Sequence, residues 1–591
     1  MNLTQFIKRV DTVITNLPQK KLAEFIHNMA RGLSENQRED FLNKLYDMAG
    51  EVSVESDKQL IEKYNTKEIQ KELCQIQAEL LRIERGELCL IGNLNEEYDD
   101  WYHDSADEFI FEDSKNIIEI IEKACDIIHQ CVDCELYEEC YEFADMLIAL
   151  EIMVEGDYSD YGGTNLSLKE LGEYELSSFS HRQLTLDALC VAYWSNSLEE
   201  RPDALYRIIC NSGCRDITLE ALMQEGKKEL EQLPGFLKLW VEYLGTCSGQ
   251  DAERLLSEAV ALQNDSELSL EAARKFSGQH PGLYEQILKQ NLMSGKDDEL
   301  FDVGQEALRT IQPQYIVRSR VALMTAVYAL RLKKQNEAEL CWLEAFRSDT
   351  RQVHYLRMVV ESLDFSGYRE ETRLIYRNCF EQAKKEKNHQ YQVGELRENR
   401  IDKQTYFMLA FFGGEFRHVI EDGMNEKAPL GWSFTFMKVG IGLFFMYLYQ
   451  GDDLPVGCKT MCGWACESIS FTFEEYSQGL GQPVHIENTS LFWECFRKWK
   501  MMNSMSVTEE QWILEKLEEW IRIRVDGIMQ ANHRKYYGEC AAFIAALGEV
   551  TESRGEMNGK ANLMEDYRAA YSRRTAFHKE LRAFGMNDRR I

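Results

Sequence analysis

The residues best suited to chemistry are five donors close together: Cys125, His129, Cys131, Cys134 and Cys140. Thiolate and imidazole groups around a Cys-x-x-Cys core are what a tetrahedral zinc ion takes. Structural zinc sites usually pair two such motifs, and this stretch holds one. Cys125 and His129 stand four residues apart, on one face of a predicted helix, and Cys140 falls on the face of the next. The expectation is therefore a packed helix–turn–helix with no resident metal or cofactor. A redox reading of Cys131 and Cys134 would need a strand before them and a βαβ setting.

Other constellations are weaker. Cys458, Cys462 and Cys466 form a thiol stripe at helical spacing, and Cys210 and Cys214 flank a predicted helix end. Both sets read as small buried residues. His485 and Cys495 lie ten residues apart across a loop, the only pairing that suggests a nucleophile and its base. No Gly-x-x-x-x-Gly-Lys-Ser/Thr, His-Glu-x-x-His or Gly-x-Ser-x-Gly occurs. Gly440-Ile-Gly442 lies inside an apolar helix rather than at a strand–helix turn. No catalytic or cofactor-binding residue is assigned, and the chain is expected not to be an enzyme.

Charge is unevenly placed. The net charge is −33 over 591 residues. From Glu96 to Asp160 there are 22 acidic residues against two basic ones, Lys115 and Lys123. The last 61 residues reverse the sign, with 11 basic against 8 acidic. Such a chain is repelled by phosphate backbones, so a basic or amphipathic protein or peptide is favoured over nucleic acid as partner. The terminal cations Arg568, Arg573, Arg574, Lys579 and Arg582 interleave with Tyr567, Tyr571, Phe577 and Phe584. They are the partner-binding candidates, for an acidic protein surface or RNA or DNA. The same pattern also fits a terminal cap, with aromatics packed inward and cations in water.

The elements that would position these residues are helices. Only 8 prolines occur, far fewer than a turn-rich β chain would use. Phe6, Ile7, Val10, Val13 and Ile14 mark the first of two or three short amphipathic helices, and Ser34 and Gln37 fit a capping box. Ser56–Glu84 reads as a long polar helix, followed by an acidic aromatic loop to Asp113. Leu430–Tyr449 is apolar enough to suggest a membrane span, but Lys438 at its centre favours a buried helix. Seventeen scattered cysteines and no signal-like start suggest a reducing cytoplasm.

From Ser114 onward, second helices carry small–large–small residues at i, i+4 and i+7. Examples are Ala252, Leu256, Ala259; Ala338, Trp342, Ala345; and Thr372, Tyr376, Cys379. Small outer residues let a partner helix approach while the larger one fills the gap. This region resembles degenerate tetratricopeptide-type repeats; Ala326, twelve residues before Ala338, sits where that family places a small residue. The layout as a whole, with its APLGW segment at Ala428–Trp432 and its basic tail, resembles the helical region of bacterial SWIM-finger proteins. The finger's Cys-x-Cys and Cys-x-His are missing.

The expected architecture is all-α: an α-solenoid of antiparallel helix pairs. Its parts are an N-terminal helical unit (1–85), the acidic loop (86–113), degenerate repeats (114–430), an apolar helical domain (431–550), and a polar break with a basic helix (551–591). Stacked helix pairs build a long curved surface of the kind that binds peptides or partner proteins, so the expected function is a non-catalytic protein- or peptide-binding scaffold. A nucleic-acid-associated accessory subunit is the alternative.

Overall fold

Alternation decides the first unit. In Glu151–Glu155 the residues Ile152 and Val154 point inward while their neighbours face water, the period of a half-buried strand. A computed structural model describes residues 66–95, 109–160, 163–225, 228–385 and 394–586. The amphipathic helices expected before residue 51, the start of the polar helix, much of the acidic loop, and Arg589 and Arg590 lie outside them.

Two compact units divide the chain. The first runs to Ser195, with short returns at 211–214 and 225–228. Here four strands form one sheet in the order β2-β1-β3-β4, with β1 Leu90–Leu94, β2 Phe109–Glu112, β3 Glu151–Glu155 and β4 Asn165–Ser167. β1 pairs antiparallel with β2, placing Ile91 opposite Glu112, and parallel with β3. A parallel pair needs a crossover; the helices Ile117–Asp133 and Tyr137–Ile148 provide it. Both carboxylate oxygens of Asp113 accept N–H groups at the start of the first helix, from Ile117 and Ile118 at 2.8 Å. Residues 86–113, expected as a loop, thus contribute two strands, and the mostly helical chain carries a small mixed sheet.

The second unit holds 196–210, 215–224 and everything from Glu229 on. Successive helices pack on their neighbours from Leu233 to Glu361, with Ile316–Arg331 lying along Gln335–Ser348. The small–large–small residues named above are all buried. Close approach is enforced where Asp297–Thr310 meets the next helix: a Cβ on Gly304 would stand 2.2 Å from Thr325 Oγ1.

Farther on, the apolar stretch is a 13-residue helix, Phe436–Leu448, preceded by a 3₁₀ turn at Pro429–Phe434. Among the described residues no helix is long and apolar enough to cross a membrane. Lys438 lies over the Trp464 ring at 4.2 Å, with Glu539 Oε2 at 3.9 Å. The expected polar break after residue 550 is short: Tyr537–Ser553 runs into it, and Gly559–Ala570 and Thr575–Ala583 follow.

Candidate functional site

The cysteine cluster folds as its helical spacing predicts. Cys125 and Cys131 lie on Ile117–Asp133 and Cys140 on Tyr137–Ile148, all three buried, with Cys134 half-buried between the helices. Contact with Cys131 and burial push the Cys140 thiol far up; burial does the same to Cys125. Protonated thiols are poor ligands and poor nucleophiles. His129 meets the buried Asp187, Nδ1 to Oδ2 at 2.9 Å. Among the described residues no group of three His, Cys, Asp or Glu side chains is set to hold a metal ion.

The thiol stripe is also core, but the expectation of burial fails at Cys210. Cys458, Cys462 and Cys466 are buried along one face of Val456–Ser468. Of the pair near the first helix end, Cys210 is exposed and Cys214 buried. His485 is exposed beside Phe473, whereas Cys495 is buried with its thiol raised to about 12, chiefly by burial. The structure does not join them as nucleophile and base.

At the C-terminus, Phe577 and Leu581 face inward. Arg568 pairs with Glu565, and Arg574 donates to Met529 O at 2.7 Å and to Asn532 Oδ1 at 2.6 Å. Arg573, Lys579 and Arg582 are exposed.

The most developed site lies elsewhere in the second unit. Arg320, Met324, Val327 and Arg331 occupy one face of Ile316–Arg331 at i, i+4, i+7 and i+11. That face forms one wall of a groove of about 450 Å³, completed by Leu292, Leu323, Lys289 and the turn Ser477–Pro483. Glu285, Lys289, Arg320, Arg331 and Glu474 give it a mixed-charge lining, with Arg320 held by Glu285 at 2.7 Å. Gly479, at φ +82°, makes the turn possible, since a Cβ there would stand 2.9 Å from Leu323.

This turn is clasped from beneath. Trp342 Nε1 donates to Gly479 O at 2.9 Å. Arg357, fully buried, donates through Nε to Tyr476 O at 2.9 Å and through Nη2 to Glu475 O. Its Nη1 meets His354 Nδ1 at 2.7 Å, and His354 Nε2 faces Asp349 Oδ2 at 3.2 Å. Arg351 ties Asp349 at 2.9 Å and Glu475 at 3.1 Å, while Tyr476 donates to Glu361 at 2.6 Å. Burial lowers the Arg357 pKa only to about 10, so it stays charged near neutrality. The helix end Phe473–Ser477 exposes unpaired carbonyls, and the guanidinium satisfies two of them.

A second segment, residues 394–402, runs as a strap over the connections between helices. Ile316 N–H donates to Arg397 O at 2.9 Å and Asn399 N–H to Gln314 O at 2.7 Å. The Asn399 amide accepts from Thr350 N–H at 3.1 Å and donates to Arg347 O at 3.0 Å and Thr350 Oγ1 at 2.7 Å. Neither clasp nor strap was anticipated. Trp342 stood out as a large repeat residue, but its partner lies 137 positions away. No family model matches the chain, and no match to a curated protein was found.

Proposed function

We propose that the second unit is a non-catalytic scaffold: a helical-repeat array of tetratricopeptide-like pairs that binds a protein or peptide segment. The observation that supports this most is the groove beside Gly479. Its volume suits a few side chains. Beside it, Trp342 and Arg357 hold a length of the protein's own chain through main-chain carbonyls, the way a bound peptide is held irrespective of its side chains. An apolar floor with a mixed-charge rim suits an amphipathic segment, and the chain's net charge of −33 favours a basic one.

Selection of peptides against the full chain tests this. Binders should lose roughly tenfold or more in affinity on Met324→Trp, which fills the groove, and keep it on Leu374→Trp, placed on a different helix. Equal binding to both variants would exclude the groove. The exposed Arg573, Lys579 and Arg582 support a second reading, contact with nucleic acid or an acidic protein surface. Oligonucleotide binding that weakens steeply with salt, and is lost on charge reversal of Arg573 and Lys579, is the expected result under it.

A further inference from the structure

Two glycines sit where side chains would strike carboxylates. A Cβ on Gly282 would stand 1.7 Å from Glu395 Oε1, and one on Gly394 would stand 2.4 Å from Glu253 Oε2. The room they leave lets two acids line up at the start of the strap. Glu253, in the first turn of Gln250–Gln263, accepts the main-chain N–H of Glu395 at 3.2 and 3.3 Å. The Glu395 side chain reaches on to the first residue of Gly282–Gln290, where it faces the Gly282 N–H.

Every neighbouring element presents charge to this carboxylate. Glu253 comes from the first helix, Glu285 from the second, and Arg320 from Ile316–Arg331. Arg320 is already engaged by Glu285, so Glu395 has no cation of its own within the cluster. Its Oε2 is buried with no hydrogen-bond partner among the described residues. A buried carboxylate oxygen lacking a donor is costly when ionised and tolerated when protonated. Burial, reinforced by Glu253 and Glu285, pushes the Glu395 pKa up to about 7, against the pull of the Gly282 N–H and Arg320.

We propose that Glu395 and Glu253 form a proton-operated latch: with Glu395 protonated the strap 394–402 is held across the helices, and with it ionised the strap loosens. The sign follows from linkage. An ordinary glutamate near 4.5 is raised in the docked strap. The added stability is therefore fully present below about 4.5 and is lost as pH rises through about 7. The strap also anchors the N-terminal residue of Ile316–Arg331 through the Arg397 carbonyl, so loosening reaches the helix that lines the groove. The latch does not depend on that groove binding anything.

Hydrogen exchange of the full chain, corrected for intrinsic rates, reads it directly. Amides of 394–402 are expected to be roughly tenfold better protected at about pH 6 than at about pH 8. Glu395→Gln, a neutral isostere, should make protection nearly independent of pH. Glu253→Gln removes a negative neighbour that raises the Glu395 pKa, while its amide oxygen can still accept the Glu395 N–H, so the fall in protection should become smaller and end at lower pH. Equal protection of the natural strap at both pH values, or a Glu395→Gln strap that keeps the natural pH dependence, overturns the proposal. If Glu395→Gln does not fold, an unmoved transition in Glu253→Gln does the same.

Discussion

Arg357 is the side chain on which most polar geometry converges, and its removal leaves helix-end carbonyls without donors. Arg357→Met keeps apolar bulk but none of the donors, and should lower stability by roughly 3 kcal/mol, read as an earlier urea midpoint. His354 adds a pH term. Burial, the largest effect, lowers its pKa from the ordinary 6.5 and keeps it neutral, so it can accept from Arg357. That contribution is present above pH 6.5 and lost as pH falls below it. The urea midpoint should therefore drop on acidification from about pH 7 to about pH 5, with a shallower drop in His354→Gln. Glu395 works in the opposite direction, so the two groups can be told apart by the sign of the response. Residues with near neighbours were readable in advance: Cys125 and Cys140 lie on the helix faces their spacing implied. His129 was not, because its partner Asp187 is 58 residues away.

Among elements, one helix carries two glycines with opposite expectations. On Val456–Ser468, a Cβ at Gly457 would stand 2.5 Å from Ala546 N, main chain of the neighbouring helix that cannot yield cheaply. Gly463 has nothing within 4 Å of its Cβ position. Gly457→Ala should cost about 1–3 kcal/mol, and Gly463→Ala should stabilise by about 0.5–1 kcal/mol, both read from unfolding midpoints. Long helices were legible because several turns repeat one pattern: Ala338, Trp342 and Ala345 lie on Gln335–Ser348, and Cys458, Cys462 and Cys466 on Val456–Ser468. The strands were not. The alternation in Glu151–Glu155 lasts five residues and follows directly on a helix, too short to stand out against 3.6-residue periodicity. Its pairing with β1 depends on residues about sixty positions earlier.

Taken whole, the chain has 17 cysteines, none in a disulfide, of which Cys74 and Cys210 are exposed. Burial raises the Cys210 pKa even so. A thiol reagent applied to the native protein near neutral pH should label Cys74 first and Cys210 next, and reach all 17 only after unfolding. Early labelling of Cys125 or Cys458 would contradict the packing described here.

The Arg357–Trp342 clasp also bears on how the second unit comes apart. In a simple stack, each helix pair touches only its neighbours, and the ends fray independently of the middle. Here Arg357 and Trp342 bind carbonyls 118 to 137 residues further along. Loss of the segment around Gly479 would strip donors and acceptors from helices in the middle of the row, so melting from either end meets a tie made elsewhere in the chain. The unit should lose its structure in one cooperative step, with calorimetric and van't Hoff enthalpies close to one another. Cutting the chain between residues 412 and 436 should destabilise helices 335–361, although none of their sequence is removed.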